Sequence, residues 1–374
     1  MFRVLILVVL PLLVAVTPLF AQLPPKEVRS GVEMVKLTDN ISLPTLGVEN
    51  QSQSGTCWSF GVTAVLESDI IAKGGKADNL SDMWIVRNIY FDKVVKYVRL
   101  HGKNVLSVGG AMHDVIECIK RYGVVPEEVY PGLEYGTEYD FAEIDAVMKA
   151  YADAIISAER PSAVWERGLN MLLDNYFGAR VASFEWHGKT YTPLSYADSM
   201  PLDMDDYVSV TSFAHHPYNK FVALELPDNW LWQQAYNIPI DELMKIMDSV
   251  LERGRSFGLA VDITESGFYP FNGVAVVEDS ASELKSFDWS YIQRRRQLEF
   301  DRYITTDDHC LQIMGRATDK DGNVYYKAKN SWGKIGPYNG FFYLSKEYVA
   351  QKMILIMVDR NLLPSKIKNN LGVK

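Results

Sequence analysis

The chain changes period part-way along, and that change constrains its fold more than any other feature. From Cys57 onward, Val62, Val65, Leu66 and Ile70 recur at helical spacing until Gly74-Gly75 stops the run. Ser54, Gly55 and Thr56 are capping material ahead of it. A second helix is predicted after a Ser81 cap, through Trp84, Ile85, Ile89 and Tyr90, and a third from about Ala111 to Tyr122, ended by Gly123. Residues 139–178 read as further helices, and 239–254 as another with Pro239 in its first turn. The C-terminal third differs: GLAVDIT, HCLQIMGRAT, NVYYKAKN, GFFYLS and ILIMVD are short β-rich runs between Gly, Asp and Asn turns. Helices first and strands later predict an α+β protein of two lobes.

Composition supplies the core such a fold needs, with 48% hydrophobic residues over 374 positions. The net charge of −9 offers no basic field to nucleic acid or an anionic membrane, so neither is expected as a partner. Residues 1–21, MFRVLILVVLPLLVAVTPLFA, have one early Arg3, an apolar middle broken by Pro11 and Pro18, and a small residue before Gln22. This is the anatomy of a signal peptide cleaved after Ala21, which predicts export to periplasm or medium without stable membrane insertion. The rival, an uncleaved anchor, is disfavoured because the unbroken apolar run is short of the ~20 residues a span requires.

Three cysteines remain, Cys57, Cys118 and Cys310. Disulfide scaffolds carry more of them, in even number, and no CxxC or paired-His spacing suggests zinc. At least one thiol is therefore expected to be free. A nucleophilic thiol is helped by a helix N-terminus and a neighbouring imidazole. Cys57 is placed where the first helix begins. Of six histidines, His309 opens a predicted strand, and the next strand ends in Lys329-Asn330-Ser331-Trp332-Gly333. The amide of Asn330 is suited to orient the ring, Trp332 to shield that bond, and Gln51 to donate to an oxyanion together with the Cys57 N–H. Cys118 and Cys310 read as core. The pair His215-His216 invites a metal reading, which is set aside because neighbours in extended chain point to opposite faces. No metal or organic cofactor is expected. Trp230-Leu231-Trp232 reads as core or subunit contact.

The block QSQSGTCWSF from Gln51 to Phe60 resembles the active-site segment of papain-like cysteine peptidases. KNSWG at 329–333 looks like that family's asparagine motif, and DDHC at 307–310 supplies its histidine in the expected order. GGAMHDVIECIKRYGVVPEEVYPG, from Gly109, is similar to the family's substrate-cleft glycine pair and the helix behind it, which implies substrate-binding roles for Gly109, Gly110 and, on the far side, Trp332. His309 follows Cys57 by 252 residues (309 − 57), against ~130–150 in papain-type enzymes, so about 100 residues are inserted between the halves of the site. DMDDYVSVTSFAHHPYNKFVALELPDN at 203–229, YNIPIDELMKIMD at 236–248 and AVDITESGF at 260–268 resemble the bleomycin hydrolase, or aminopeptidase C, family.

The resemblance implies a papain-like two-lobe fold, a helical lobe plus a β-barrel-like lobe, with a helical insertion at roughly 133–235. The peptidase domain would span 22–364 and a tail 365–374. It implies peptide substrates hydrolysed through a thiolate–imidazolium pair and an acyl-enzyme, and a homo-oligomer, a hexamer in the family. Three departures accompany it. Members of this branch are usually intracellular. Ser54 and Ser107 stand where secreted papains place a disulfide. After Pro364 the sequence reads to LGVK without the family's final segment, whose terminal carboxylate receives the substrate's free amine. Aminopeptidase action is therefore expected alongside two alternatives: an endopeptidase or differently anchored exopeptidase, and a non-catalytic peptide-binding relative.

Overall fold

The computed structural model describes residues 36–277 and 288–372; the proposed signal peptide, residues 1–21, lies outside them. Ten helices are described. In the first half these are α1 (Cys57–Ala72), α2 (Asp82–Arg99), α3 (Met112–Tyr122), α4 (Ala142–Ser157), α5 (Trp165–Phe177) and α6 (Pro193–Ser199). Later come α7 (Ile240–Glu252), α8 (Trp289–Asp301), α9 (Lys346–Lys352) and α10 (Ser365–Asn370). The strands begin with β1 (Thr38–Ser42), the hairpin β2 (Phe184–Trp186) and β3 (Lys189–Tyr191), then β4 (Tyr207–Thr211), β5 (Lys220–Ala223) and β6 (Gln234–Asn237). They continue with β7 (Phe257–Val261), β8 (Phe268–Tyr269), β9 (Val274–Ala275), β10 (His309–Thr318), β11 (Val324–Lys329), β12 (Phe341–Ser345) and β13 (Met353–Asp359).

Among the described residues one sheet carries eleven strands in the order β5-β6-β4-β13-β7-β10-β11-β12-β9-β8, with β1 also paired to β10. The five predicted β-runs form its centre, β13-β7-β10-β11-β12, antiparallel throughout. Segment 133–235 holds α4 to α6, and its strands β4 to β6 extend this same sheet, so the inserted stretch carries strands besides helices. The lead-in before Gln51 is used as well: β1 pairs with β10, and Asn50 bridges to Trp332.

Helix α1 is buried from Cys57 to Ile70, as suits a helix enclosed between layers rather than resting on a surface. It lies across β10. Gln312 on β10 donates from Nε2 to Ala64 O at 2.9 Å and Ser68 Oγ at 2.7 Å, and its Oε1 accepts from Thr45 Oγ1 at 3.0 Å. Gly61 permits this approach, since a Cβ there would lie 2.6 Å from Cys310 Sγ. Local predictions need three corrections. Thr56 precedes α1 but makes no side-chain cap; its Oγ1 bonds to Ser54 Oγ at 2.5 Å instead. Pro239 stands before α7, not in its first turn. Helix α8 and the C-terminal α10 carry no signal read above, yet Ile292 and Ile367 bury them on the core.

Several carboxyls are buried with this architecture. Burial is the largest cause that pushes Glu67 up to about 8, Glu127 to about 8 and Asp114 to about 7. Such a group holds its proton in the native state where the unfolded chain has released it, so stability is lost as pH rises towards the native value. His113 and His309, pushed down to about 4 chiefly by burial, have the opposite slope, but only below their unfolded pKa near 6.5. Between pH 6.5 and 8 the carboxyls act alone. The urea midpoint is expected to fall across that window; a flat or rising midpoint would refute it.

Candidate active site

Cys57 is the first residue of α1, and His309 the first of β10, which pairs with Val261 of β7. The contact of α1 with β10 therefore brings together two residues far apart in sequence. Both line one cavity of about 290 Å³, with Gly55, Trp58, Ser107, Gly109, Gly110, Asp228, Asp307 and Asp308 among its walls. Gly55 makes the turn into α1 at φ +67°, where a side chain would be strained.

His309 is only 2% exposed. Its Nε2 lies 2.7 Å from Asn330 Oδ1, an acceptor, so Nε2 carries the proton and donates. The other nitrogen, Nδ1, is left as a lone-pair base, buried and without a hydrogen-bond partner. Trp332 covers the ring at 4.9 Å between centroids and 36° between planes, and is itself held edge-on by Phe268 and Phe342. Burial pushes the His309 imidazole down to about 4, with the Asn330 hydrogen bond opposing. Burial likewise pushes the Cys57 thiol up to about 12; the Cys310 backbone N–H opposes this, and Asp307, Asp228 and Asp308 add to it. Burial thus disfavours the charged form of either group by itself, a cost that falls when the two opposite charges form side by side.

Cys57, His309, Gly109 and Gly110 meet on the cavity wall, and Asn330 stands directly behind His309. A Cβ on Gly110 would lie 2.7 Å from the Trp58 ring, so the wall is narrow by construction. Trp332 is placed against His309 rather than on the wall. Gln51 is buried behind the wall: its N–H donates to Ser331 O at 2.8 Å, and its Oε1 accepts from Ser331 Oγ at 2.6 Å. Cys118 and Cys310 are free and buried.

Two features escaped the sequence. Ser107 Oγ donates to Asp228 Oδ1 at 3.2 Å, so the residue at the disulfide position makes a polar link to the inserted segment. His215 and His216 do not diverge, because they sit in a turn rather than a strand. Both Nε2 atoms face Glu225 Oε2, at 3.2 and 3.1 Å. A hydrogen-bond network accounts for this group, since Gln297 Nε2 faces His215 Nδ1 at 2.8 Å and Asp301 Oδ1 at 2.7 Å.

Comparison with known proteins gives two family matches. The Peptidase C1-like family model matches residues 183–373, and the Papain family cysteine protease model matches 41–154. The chain is similar to Aminopeptidase G of Lactobacillus delbrueckii subsp. lactis, 26% identical over 83% of this chain and 81% of that one. It is similar to Aminopeptidase C of Lactococcus lactis subsp. cremoris at 23% identity, over 84% and 81%. Among solved structures it shares the fold of PepW from Lactobacillus rhamnosis, with a TM-score of 0.70 at 19% identity, over 90% of this chain and 84% of that one.

Proposed function

This chain belongs to the Peptidase C1-like family and is a cysteine peptidase, and on that premise we propose that it is an aminopeptidase whose nucleophile is Cys57. The observation that carries the assignment is the basic Nδ1 of His309, orphaned and buried in the cavity that holds Cys57. The Cys57 Sγ proton passes to His309 Nδ1, giving a thiolate–imidazolium pair whose charges offset each other's burial, and the thiolate then attacks the peptide carbonyl. The carbonyl oxygen becomes an oxyanion, and in this reading the Cys57 N–H and the Gln51 amide donate to it. Collapse breaks the C–N bond; His309 returns the proton to the departing amine and a thioester remains on Cys57. Water, deprotonated by His309, then hydrolyses the thioester. Asn330 keeps the ring in the required tautomer, and Trp332 keeps water from that bond.

The names of the two bacterial relatives support amino-terminal action. Residues 1–21 act in this reading as an export signal. An epoxide-type thiol reagent is expected to form an adduct at Cys57 of the folded protein, whose mature chain begins at Gln22. A peptide with a free N-terminus should be cleaved and its N-acetylated form spared. No adduct at Cys57 sinks the nucleophile assignment; equal cleavage of both peptides sinks aminopeptidase action.

A further inference from the structure

The catalytic steps leave three carboxyl groups of the cavity unused, Asp228, Asp307 and Asp308, and the first of these is the one contributed by the inserted segment. Asp228 stands in the loop joining β5 to β6, and that loop is braced. Asn229 Nδ2 donates to Leu224 O at 3.1 Å and Gln233 O at 3.0 Å, while its Oδ1 accepts from the Gln233 N–H at 2.9 Å. Trp230 Nε1 donates to Asp114 Oδ2 on α3 at 2.8 Å. The carboxylate between these anchors has little freedom to swing away.

Its surroundings call for a cation. Among the described residues, its one hydrogen bond comes from Ser107 Oγ, and it makes no ion pair. Its Oδ2 lies over Gly109, where any side chain would collide with it. The buried Lys93 ammonium feels the charge of Asp228 without pairing with it, and donates from Nζ to the Ser107 carbonyl at 2.7 Å and to that of Gly109. Asp307 lines the same cavity and is pushed up to about 7 by burial first and by the charge of Asp228 next. Negative charge is thus gathered in the cavity that also holds Cys57 and the orphaned His309 Nδ1, and Asp228, Asp307 and Asp308 all act on the Cys57 thiol. Gly109 and Gly110, with Trp58 behind Gly110, form a wall that lets an extended backbone approach closely. The cavity volume of about 290 Å³ stands at the lower limit of ligand pockets.

We propose that Asp228 is the specificity residue of this peptidase, receiving the free α-ammonium of a peptide whose scissile carbonyl lies at Cys57. The assignment rests on the aminopeptidase reading and names the group that enforces it. An internal peptide segment brings an uncharged amide to this place and leaves the charge of Asp228 desolvated with no ion-pair partner and only the Ser107 hydroxyl bonded to it, which discriminates against it.

The test compares kcat/KM on a peptide with a free N-terminus against its N-acetylated form, in wild type and in Asp228→Asn. Asparagine keeps the size and the acceptor for Ser107, so the wall is preserved while the charge is removed. Loss of one charge-assisted hydrogen bond predicts that the free-to-blocked ratio falls about 10- to 100-fold. Alaninamide, a small free amine, should lose potency as a competitive inhibitor by a similar factor, while N-acetylalaninamide should not. Epoxide labelling of Cys57 in the variant confirms a folded site. A ratio retained in Asp228→Asn overturns the role of Asp228 and leaves the aminopeptidase reading standing. A wild-type enzyme indifferent to acetylation removes both.

Discussion

Cys57→Ala protein is expected to fold normally and to hydrolyse peptides about 10⁵- to 10⁶-fold more slowly than wild type. Every covalent step passes through Sγ, and no described cysteine can substitute. Cys118 is fully buried, and Cys310 is packed over Gly61. The change removes one sulfur from a residue that is 9% exposed, so the stability cost is about 1 kcal/mol, a shift in Tm of about 2–4 °C. Parallel measurement of kcat and of thermal unfolding separates the two effects. Retention of even a hundredth of the wild-type rate would place the nucleophile elsewhere.

His309→Ala is expected to cost about 10⁴-fold or more, for a complementary reason. Without its base the thiol is left with a pKa of about 12, so at pH 7 only about one molecule in 10⁵ carries a thiolate. Because the two groups work as a unit, the double variant should be scarcely worse than Cys57→Ala alone. The pH dependence carries the same signature. Burial depresses the imidazole to about 4, so His309 can accept the thiol proton throughout the neutral range. The acid limb of kcat/KM is therefore expected near pH 4 rather than 6.5, with activity falling tenfold per unit below it. A limb near 6.5 would mean that His309 is solvated in the working enzyme. Residual activity in His309→Ala that rises with pH would show the thiolate forming unaided; activity near wild type at pH 7 would remove His309 from the mechanism.

What the sequence discloses and what it hides divide along physical lines. The residues proposed as nucleophile and base, Cys57 and His309, stand out in the sequence because each sits at an element boundary with a local signature. Small turn residues precede Cys57, and alternating β-formers follow His309. Asn330 was legible through its fixed place after a β-run. The positions of Gln51 and Trp332 behind the wall were not, since a side chain's direction depends on the partner strand, and Ser331 and Phe268 decide it. Asp228 had no signal at all. A lone aspartate in a loop between short strands looks like any solvated turn residue; only the return of that loop over Ser107 and Gly109 gives it chemical meaning. The reading of His215 and His216 failed because it assumed extended backbone where the chain turns. Helix α8 went unseen because its few buried residues, Ile292, Arg296 and Glu299, include two charged ones. Arg296 Nη1 donates to the carbonyls of Ala350 and Gln351 and Nη2 to that of Ser212, while its buried Nε has no partner.

The glycine contact between α1 and β10 bears on how such an enzyme can diversify. With Gly61 seated on Cys310 and Gln312 tied into Ala64 and Ser68, the nucleophile-bearing helix and the base-bearing strand form a single rigid block. Drift in sequence cannot adjust their spacing by small steps, because position 61 tolerates nothing larger than hydrogen and Gln312 is bonded on both sides. The β5–β6 loop is held differently: Leu224 and Trp230 anchor it in the core, while Asp228 reaches the cleft from the inserted segment through a polar contact with Ser107. New substrate preferences in this lineage would therefore arise by exchanging that rim, leaving the chemistry behind it inherited intact.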